Sequence, residues 1–370
     1  MKQFAIDLTG VGTKVESGLG YYVQNMLEGL LSLNCDYRMV MVVGKANAAL
    51  FQKYTEDDRV VLMETDCDVT SKMKRVLWIN RFLSSKLMEA GISLCLEPYY
   101  CMPVFLTKKV RYVTTIHDLL AWHYPEFLSW KQNIWLRFMW WAASIKASKI
   151  LTVSNFCKKD IESRYKAARG KVSTLYVTTQ VSSAPESIFQ ELQAKYGIED
   201  QGYYYTVSKL RRNKNLEVLV KAFQKAKENH VSSIPLRLLV SGNNGGDAEK
   251  LKKMIDELGL SENILMTGFV SDEERNALYQ HAKAFLFPSI FEGFGMPVVE
   301  AMALGSCVIT TKCASLFEVT QGKANYVEDP HSAEEWVECM INAQNRSSEF
   351  DYSVYTKEHL AQQVIDLLFE

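Results

Sequence analysis

AFLFPSIFEGFGMPVVEAMALGSCVITT, residues 284–311, is the stretch from which the fold can be read. Residues 284–288 are continuously apolar, rich in aromatics and ended by Pro288, the pattern of a short buried strand. Residues 290–296 form a loop holding Gly293 and Gly295. Pro297 has no N–H to leave unsatisfied and suits the first position of a helix over 298–304, which Gly305 stops. Residues 306–310 return as a strand. A strand–loop–helix–strand unit puts its loop at the carboxyl end of a parallel sheet, where such sheets bind ligands. The start of the helix aims unpaired N–H groups and partial positive charge at the loop, which suits phosphate. Glu292 and Glu300 flank that point. Carboxylates do not hold phosphate, but they accept hydrogen bonds from hydroxyls. Phosphate together with hydroxyls points to a sugar nucleotide.

Upstream, residues 203–207 read as a strand and 216–228 as a helix. The loop between them, Ser208-Lys209-Leu210-Arg211-Arg212-Asn213-Lys214-Asn215, carries four cations at a strand tip. Lys209, Arg211, Arg212 and Lys214 make a clamp for a diphosphate; the alternative is a solvated basic loop. Strands over 236–240 and 264–267 end near Gly242 and Gly268, and these loops offer backbone to a base. Helices are expected over 248–258 and 313–319, and Ser271 with Glu274 has capping-box spacing. Strand and helix alternate throughout, so this half is a doubly wound parallel α/β domain. A final amphipathic helix covers 352–370.

The N-terminal half follows the same alternation, with strands expected over 4–8, 39–43, 92–96, 110–116, 150–153 and 172–177. Gly10, Gly12, Gly18 and Gly20 punctuate a long loop before a helix over 21–31. They do not form a clean GxGxxG fingerprint, so a nicotinamide site is not indicated. They are either a turning loop or a lip where backbone approaches a ligand. Asp66-Cys67-Asp68 is a DxD triplet in a polar run, a loop with no hydrophobic strand before it and a weak candidate for a metal on a diphosphate. Residues 71–90 form an amphipathic helix with Lys72, Lys74, Arg75, Arg81 and Lys86. This face is either simply solvated or meets anionic lipid or a phosphorylated acceptor. His117-Asp118 ends a buried strand, a better position for chemistry than a lone histidine usually has. The helix over 127–149 carries Trp130, Trp135, Trp140 and Trp141. Adjacent tryptophans cannot share one stripe of a helix, so either one packs on a neighbour or aromatic surface meets an acceptor or a membrane interface. Ser154 is placed to cap the next helix, and residues 178–186 read as a linker.

A chain of 370 residues suits two domains, and a net charge of −1 gives no reason to expect a nucleic-acid partner. The eight cysteines show no zinc spacing and read as reduced core thiols. MKQFAIDL leads directly into a strand, and no apolar run approaches the ~18 residues that span a bilayer. A cytoplasmic protein is expected, at most peripheral on the cytoplasmic membrane face.

Glu292-Gly293-Phe294-Gly295-Met296-Pro297-Val298-Val299-Glu300-Ala301 resembles the signature of retaining glycosyltransferases of family 4 (glycosyltransferase group 1), which have the GT-B fold. Residues 207–215 are similar to the family's diphosphate loop, His117-Asp118 to its cleft histidine, and Phe287-Pro288-Ser289 to the strand leading into the signature. Thr152-Val153-Ser154 with Phe156 resembles the segment closing its first domain. Two departures stand out. Ser208-Lys209 replaces the usual Gly-Arg, so a point charge stands in for a bidentate fork. Tyr176-Val177-Thr178-Thr179 replaces the usual Pro-Asn-Gly-Val near the domain junction.

The resemblance implies an α/β protein of two Rossmann-like doubly wound domains facing across a cleft. The acceptor-binding domain would cover 1–180 and the nucleotide-sugar domain 181–350, with a helix in 351–370 packing back on the first. It implies that Lys214, Lys209 and Arg212 hold the donor diphosphate, that Glu300 accepts from the ribose, and that Glu292 lies at the transferred sugar. Phe294, Gly295 and Met296 would present N–H groups, His117 would reach the sugar, and Gly18 and Gly20 would lie over the diphosphate. Catalysis would fall to His117, Lys214 and Glu292, with no metal or other cofactor. The implied reaction moves a hexose, with retention, to a saccharide or lipid-linked glycan. The resemblance to bacterial surface-polysaccharide enzymes favours GDP-mannose as donor, with UDP-hexoses next. The rivals are a GT-B sugar-nucleotide epimerase, a pyridoxal-dependent phosphorylase and a non-catalytic sugar-nucleotide-binding partner.

Overall fold

A computed structural model of the chain describes residues 2–14, 18–104, 109–179, 181–242 and 246–369. The chain folds into two compact units, one of residues 1–178 with 353–370, the other of residues 179–352.

The first unit is built on a seven-stranded sheet. Its strands are β1 (Lys2–Asp7), β2 (Tyr37–Gly44), β3 (Val60–Thr65), β4 (Leu94–Glu97), β5 (Arg111–Thr115), β6 (Lys149–Thr152) and β7 (Val172–Thr174). Their order is β3-β2-β1-β4-β5-β6-β7, and every pairing is parallel. The chain therefore winds outward from β1 in one direction and from β4 in the other, with the reversal between them. The sequence reading overlooked β3. VVLMET breaks strict apolarity at Glu64, yet it lies in register against β2 and leads straight into Asp66.

The predicted helix over 71–90 is divided in the structure. Lys72–Trp78 and Ser84–Glu89 are α-helical, and Ile79–Leu83 is a π turn between them. Asn80 marks the break: its Nδ2 donates to the Val76 carbonyl (2.8 Å) and its Oδ1 accepts from the Val104 N–H (2.6 Å). The tryptophan-rich helix runs Trp130–Lys146, started by a Ser129–Gln132 capping box. Within it Trp140 is buried while Trp141 is 49% exposed and Trp130 69% exposed, which resolves how adjacent tryptophans are accommodated.

The helix expected over 352–370 spans Lys357–Phe369 and lies along the Gly18–Ser32 helix. Gly29 permits this approach, since a Cβ there would come within 2.3 Å of the Lys357 carbonyl oxygen. Phe369 meets Phe4 of β1 edge-on, with ring centroids 5.9 Å apart.

The second unit carries a six-stranded parallel sheet in the order β10-β9-β8-β11-β12-β13. Its strands are β8 (Tyr204–Val207), β9 (Leu238–Ser241), β10 (Ile264–Gly268), β11 (Ala284–Phe287), β12 (Val308–Thr311) and β13 (Asn325–Val327). The reversal again separates the first and fourth strands, here β8 and β11. The Leu216–Glu228 helix forms over its expected residues and packs with the Ala333–Asn342 helix on one apolar cluster that includes Phe223 and Trp336. Residues 313–319 shorten to a four-residue helix, Leu316–Val319.

At the first sheet's reversal two carboxyl side chains are fully buried, Asp7 of β1 and Glu97 of β4. The register sets Ala5 beside Cys95 and Ile6 beside Leu96, which brings Asp7 next to Glu97. Asp7 accepts from the Thr9 N–H (2.9 Å) and the Tyr99 hydroxyl (2.9 Å). Burial, and after it the Asp7 carboxylate, push Glu97 well above the usual carboxylate range. Folded Glu97 therefore keeps a proton that the unfolded chain releases above about pH 4.5. Its stabilising contribution is full below that value and is lost as pH rises through the folded value. In Glu97→Gln, the melting temperature relative to the parent should rise between pH 6 and pH 9. Thermal unfolding across that range gives the comparison, and parallel profiles would refute the assignment.

Candidate functional site

In the second unit the loops leaving β8 and β11 are joined by hydrogen bonds. The Ile290 N–H donates to the Asn213 carbonyl at 2.9 Å, and Ser289 Oγ donates to the same oxygen at 3.0 Å. In return Asn213 Nδ2 donates to the Phe291 carbonyl at 3.3 Å. This seam brings Lys214 to Glu292, whose side chains form an ion pair with 17% and 13% exposure. Lys214 Nζ also lies 5.2 Å from the centre of the Phe287 ring. Asn215 follows with φ of 51°, a left-handed turn between the Arg212–Lys214 turn and the next helix, and its side chain donates to the Pro330 carbonyl (2.7 Å). Of the four cations singled out, Lys214 is drawn inward, whereas Lys209, Arg211 and Arg212 are exposed.

The glycine-containing loop after β11 is fixed from below by hydroxyls. Thr311 Oγ1 donates to the Ser289 carbonyl (2.8 Å), and Ser315 Oγ lies 3.0 and 2.9 Å from the carbonyl oxygens of Glu292 and Phe294. Gly295 adopts φ of 98° and caps the Met296–Ala303 helix, which begins one residue before Pro297, the expected first position. The Phe294 side chain is buried under the loop. At the other strand tips, Gly242 has φ of 135°, and a Cβ there would come within 1.8 Å of the Ser208 carbonyl oxygen. Its N–H donates to the Gly268 carbonyl (2.8 Å). A cavity of about 470 Å³ opens beside these tips, lined among others by Leu210, Gly242, Lys252, Ile255, Met266 and Gly268.

Glu300, one turn into the Met296–Ala303 helix, is held by two residues of the Asp272–His281 helix. Tyr279 donates its hydroxyl to Glu300 Oε2 at 3.2 Å, and Arg275 Nε lies 3.5 Å from the same oxygen. Burial raises the Glu300 value, and Arg275 opposes that rise. Sequence reading identified neither partner. The cue available was their i, i+4 spacing, which sets both on one helix face. Ser315 and Thr311 carried no local signal at all.

In the first unit His117 follows β5. Its Nε2 is 2.9 Å from the Pro98 carbonyl, the Tyr22 ring stands edge-on to it at 4.9 Å, and Cys157 Sγ donates to its carbonyl at 3.3 Å. A carbonyl only accepts, so Nε2 carries the hydrogen, and Nδ1 of the neutral ring is the acceptor. Burial holds the His117 value below the ordinary 6.5, which favours that neutral ring. Asp118 Oδ1 accepts from the Leu120 N–H (2.9 Å) and turns the chain after the strand.

Gly18 and Gly20 correct the loop reading, since both lie in the first turn of the Gly18–Ser32 helix and Gly20 is buried there. Asp66 accepts from the Trp78 indole N–H (2.7 Å). Asp68 accepts from Thr70 and pairs with Lys74 (3.1 Å), so Asp66 is tied to the Lys72–Trp78 helix and Asp68 to the turn that starts it. Among the described residues no group of three or more His, Cys, Asp or Glu side chains is placed to hold a metal ion.

Comparison with known proteins defines the class. The family described as "Glycosyltransferase Family 4" matches residues 17–177, and "Glycosyl transferases group 1" matches residues 188–351. The chain belongs to the family 4, group 1 glycosyltransferases. It is similar to the O-antigen chain mannosyltransferase B of Escherichia coli, with 30% identity over 60% of this chain and 58% of that protein. It is also similar to the O-antigen chain mannosyltransferase RfbU of Salmonella typhimurium, with 29% identity over 62% of this chain and 59% of that one. The chain thus spans about three fifths of the length of these curated relatives. Among solved structures, HepE of Anabaena in complex with UDP and glucose matches with a TM-score of 0.72 at 17% identity, covering 100% of this chain and 99% of that one. WaaG, a lipopolysaccharide glycosyltransferase, matches with a TM-score of 0.67 at 14% identity, covering 100% of both chains. The fold is the GT-B class of two parallel-sheet α/β units.

Gly295 gives the site its simplest test. A Cβ there would sit in the left-handed region and 2.8 Å from Leu316 Cδ2. Gly295→Ala should cost about 1–3 kcal/mol of stability, measured by denaturant unfolding. A variant as stable as the parent would show that the loop relaxes freely.

Proposed function

We propose that this chain transfers a hexose, with retention of configuration, from a nucleoside diphosphate sugar to a saccharide or lipid-linked glycan acceptor. The observation that carries the proposal is the seam between the β8 and β11 loops. It sets a lysine and a carboxylate together beside a helix start, at the point of a parallel sheet where ligands bind. Lys214 neutralises the donor diphosphate as it becomes the leaving group, assisted by Lys209, Arg212 and the N–H groups at Phe294, Gly295 and Met296. Glu292 accepts from hydroxyls of the transferred sugar, and Glu300 from the ribose. The base lies by the loops at Gly242 and Gly268. In the first unit, His117 keeps Nδ1 as a hydroxyl acceptor.

The bond from the sugar to the diphosphate breaks while the acceptor oxygen bonds to the same face. The departing phosphate oxygen takes the acceptor's proton. Lysines and the helix start supply the positive charge, so the reaction runs without a metal and persists in chelator. Two mannosyltransferase relatives support GDP-mannose as the first donor to test. The neighbour complexed with UDP and glucose supports UDP-hexoses as the second.

The acceptor reading extends to a membrane surface. On the Trp130–Lys146 helix, Trp130, Ile134, Phe138, Trp141 and Ile145 are all exposed, at spacings that form one stripe. Met73, Leu77 and Phe82 are exposed on the 72–89 segment, which packs on the same core cluster. Asn80 and Lys146 meet at Val104 between them. Exposed Lys72, Lys74, Arg81 and Lys131 lie alongside, a combination that suits anionic headgroups. Arg75 is not part of this face, since its guanidinium lies over the Tyr99 ring (5.6 Å) and bonds the Gly10 carbonyl (3.4 Å). Among the described residues no helix is long and apolar enough to cross a membrane.

A thermal-shift screen of nucleoside diphosphate sugars should single out one donor, because a ligand of the native state raises its apparent stability. With that donor, Lys214→Ala should lose about a hundredfold or more in turnover. Transfer at the parent rate would refute the diphosphate assignment. Separately, the protein should co-sediment with phosphatidylglycerol vesicles at low salt. Lys72→Glu with Lys131→Glu, or Trp141→Ser, should weaken that binding severalfold, and no binding to such vesicles would remove the membrane reading.

A further inference from the structure

Glu300 sits in an environment that would be unsuitable for a carboxylate without help. Its side chain is 13% exposed, at the packing of the Asp272–His281 helix on the Met296–Ala303 helix. Among the described residues its contacts both end on one atom: the Tyr279 hydroxyl and Arg275 Nε converge on Oε2 at 3.2 and 3.5 Å. Both partners are themselves fixed. The guanidinium donates through Nη1 to Asp272 Oδ1 at 2.7 Å. The Tyr279 ring stands edge-on to Tyr205 (5.4 Å) and to Phe285 (4.9 Å), so strands β8 and β11 hold the phenol in place.

We propose that Arg275 and Tyr279 are positioning residues that anchor Glu300 through Oε2, leaving Oε1 as the atom that accepts the ribose hydroxyls of the donor. This rests on the ribose role given to Glu300 above. Two consequences follow from charge and geometry. An ionised carboxylate offers only acceptor sites, which match two neighbouring hydroxyls. A carboxylate fixed at one oxygen also presents the other in one direction, so hydroxyl recognition is built in before the ligand arrives. The charged and titratable groups around Glu300 are Arg275, Asp272 and Tyr279 from the helix packed on it and Tyr205 from β8. Arg275 is the cation among them. Removing it leaves burial and Asp272 acting toward a protonated Glu300, opposed by the Tyr279 hydrogen bond alone among these groups.

The test measures binding of UDP and GDP and of their 2′,3′-dideoxy counterparts by calorimetry at pH 6 and pH 9. In the parent the preferred ribonucleotide should bind at least about tenfold more tightly than its dideoxy form, at both pH values. In Arg275→Gln that ratio should fall close to one at pH 6 and partly return at pH 9. Tyr279→Phe, which removes one hydroxyl and little volume, should lower the ratio severalfold at both pH values, and it serves if Arg275→Gln does not fold. A folded Arg275→Gln or Tyr279→Phe protein that keeps the parent's ratio overturns the inference while leaving the function proposed above intact. A parent that binds neither nucleotide, or binds the ribo and dideoxy forms equally, overturns the ribose role and this inference with it.

Discussion

The site in the second unit depends on a short hydrogen-bonded seam between two loops that are 76 residues apart in sequence, Asn213 against Ser289. Parallel sheets that reverse their winding leave a gap between the two strands at the reversal, because the connections leave on opposite faces. Nothing in the sheet ladder closes the gap above the strand tips. Here Asn213 does so, accepting from Ile290 and Ser289 and donating to Phe291. Each bond is worth only about 1 kcal/mol net. Their effect is geometric: they deliver a lysine from one loop and a carboxylate from the other to the same place. Hydroxyls from β12 and the segment after it then fix the carbonyls of the second loop, so its backbone direction is set by neighbours on both sides.

The two units share a winding order and use the reversal differently. In the first, the gap between β1 and β4 is filled by protein: Asp7, Glu97, Thr9 and Tyr99 form a buried polar network with no exposed carboxyl. Gly10 lies so close over Tyr99 that a Cβ would come within 2.1 Å of the ring. The group with chemical potential, His117, is displaced one strand away to the tip of β5, where Pro98 fixes its tautomer. In the second unit the gap holds charged side chains that retain some exposure. The same topology thus carries a packed floor in one sheet and a polar opening in the other, with different side chains at the two reversals.

How much of this was legible follows from the range of the interactions. The 284–311 unit was readable because its cues are local: a proline ending a strand, glycines in a loop, and a glycine stopping a helix. The 216–228 helix and the Ser271 and Ser154 caps were readable for the same reason. β3 was missed because a polar Glu64 interrupts an apolar run, and its pairing with β2 is a tertiary fact. Gly18 and Gly20 misled in the opposite direction. Glycines are local signals for loops, but this helix is secured by packing against the C-terminal helix through Gly29, and tertiary contact outweighed propensity. Ser315, Arg275 and Tyr279 matter through partners 21–25 residues away in sequence, at distances that no local pattern encodes.

The Lys214–Glu292 pair joins two opposite charges at the site. Both side chains are mostly buried, so neither charge is well solvated, and each neutralises the other. In the transfer proposed above, a diphosphate arriving at the lysine brings more negative charge than the carboxylate it competes with, and it also meets the start of the Met296–Ala303 helix. Glutamate released from the lysine would be left buried and uncompensated unless hydroxyls reach it. A nucleoside diphosphate alone supplies the anion but not those hydroxyls, whereas a nucleoside diphosphate sugar supplies both. In the transfer proposed above, the intact donor meets this condition and the spent nucleotide does not.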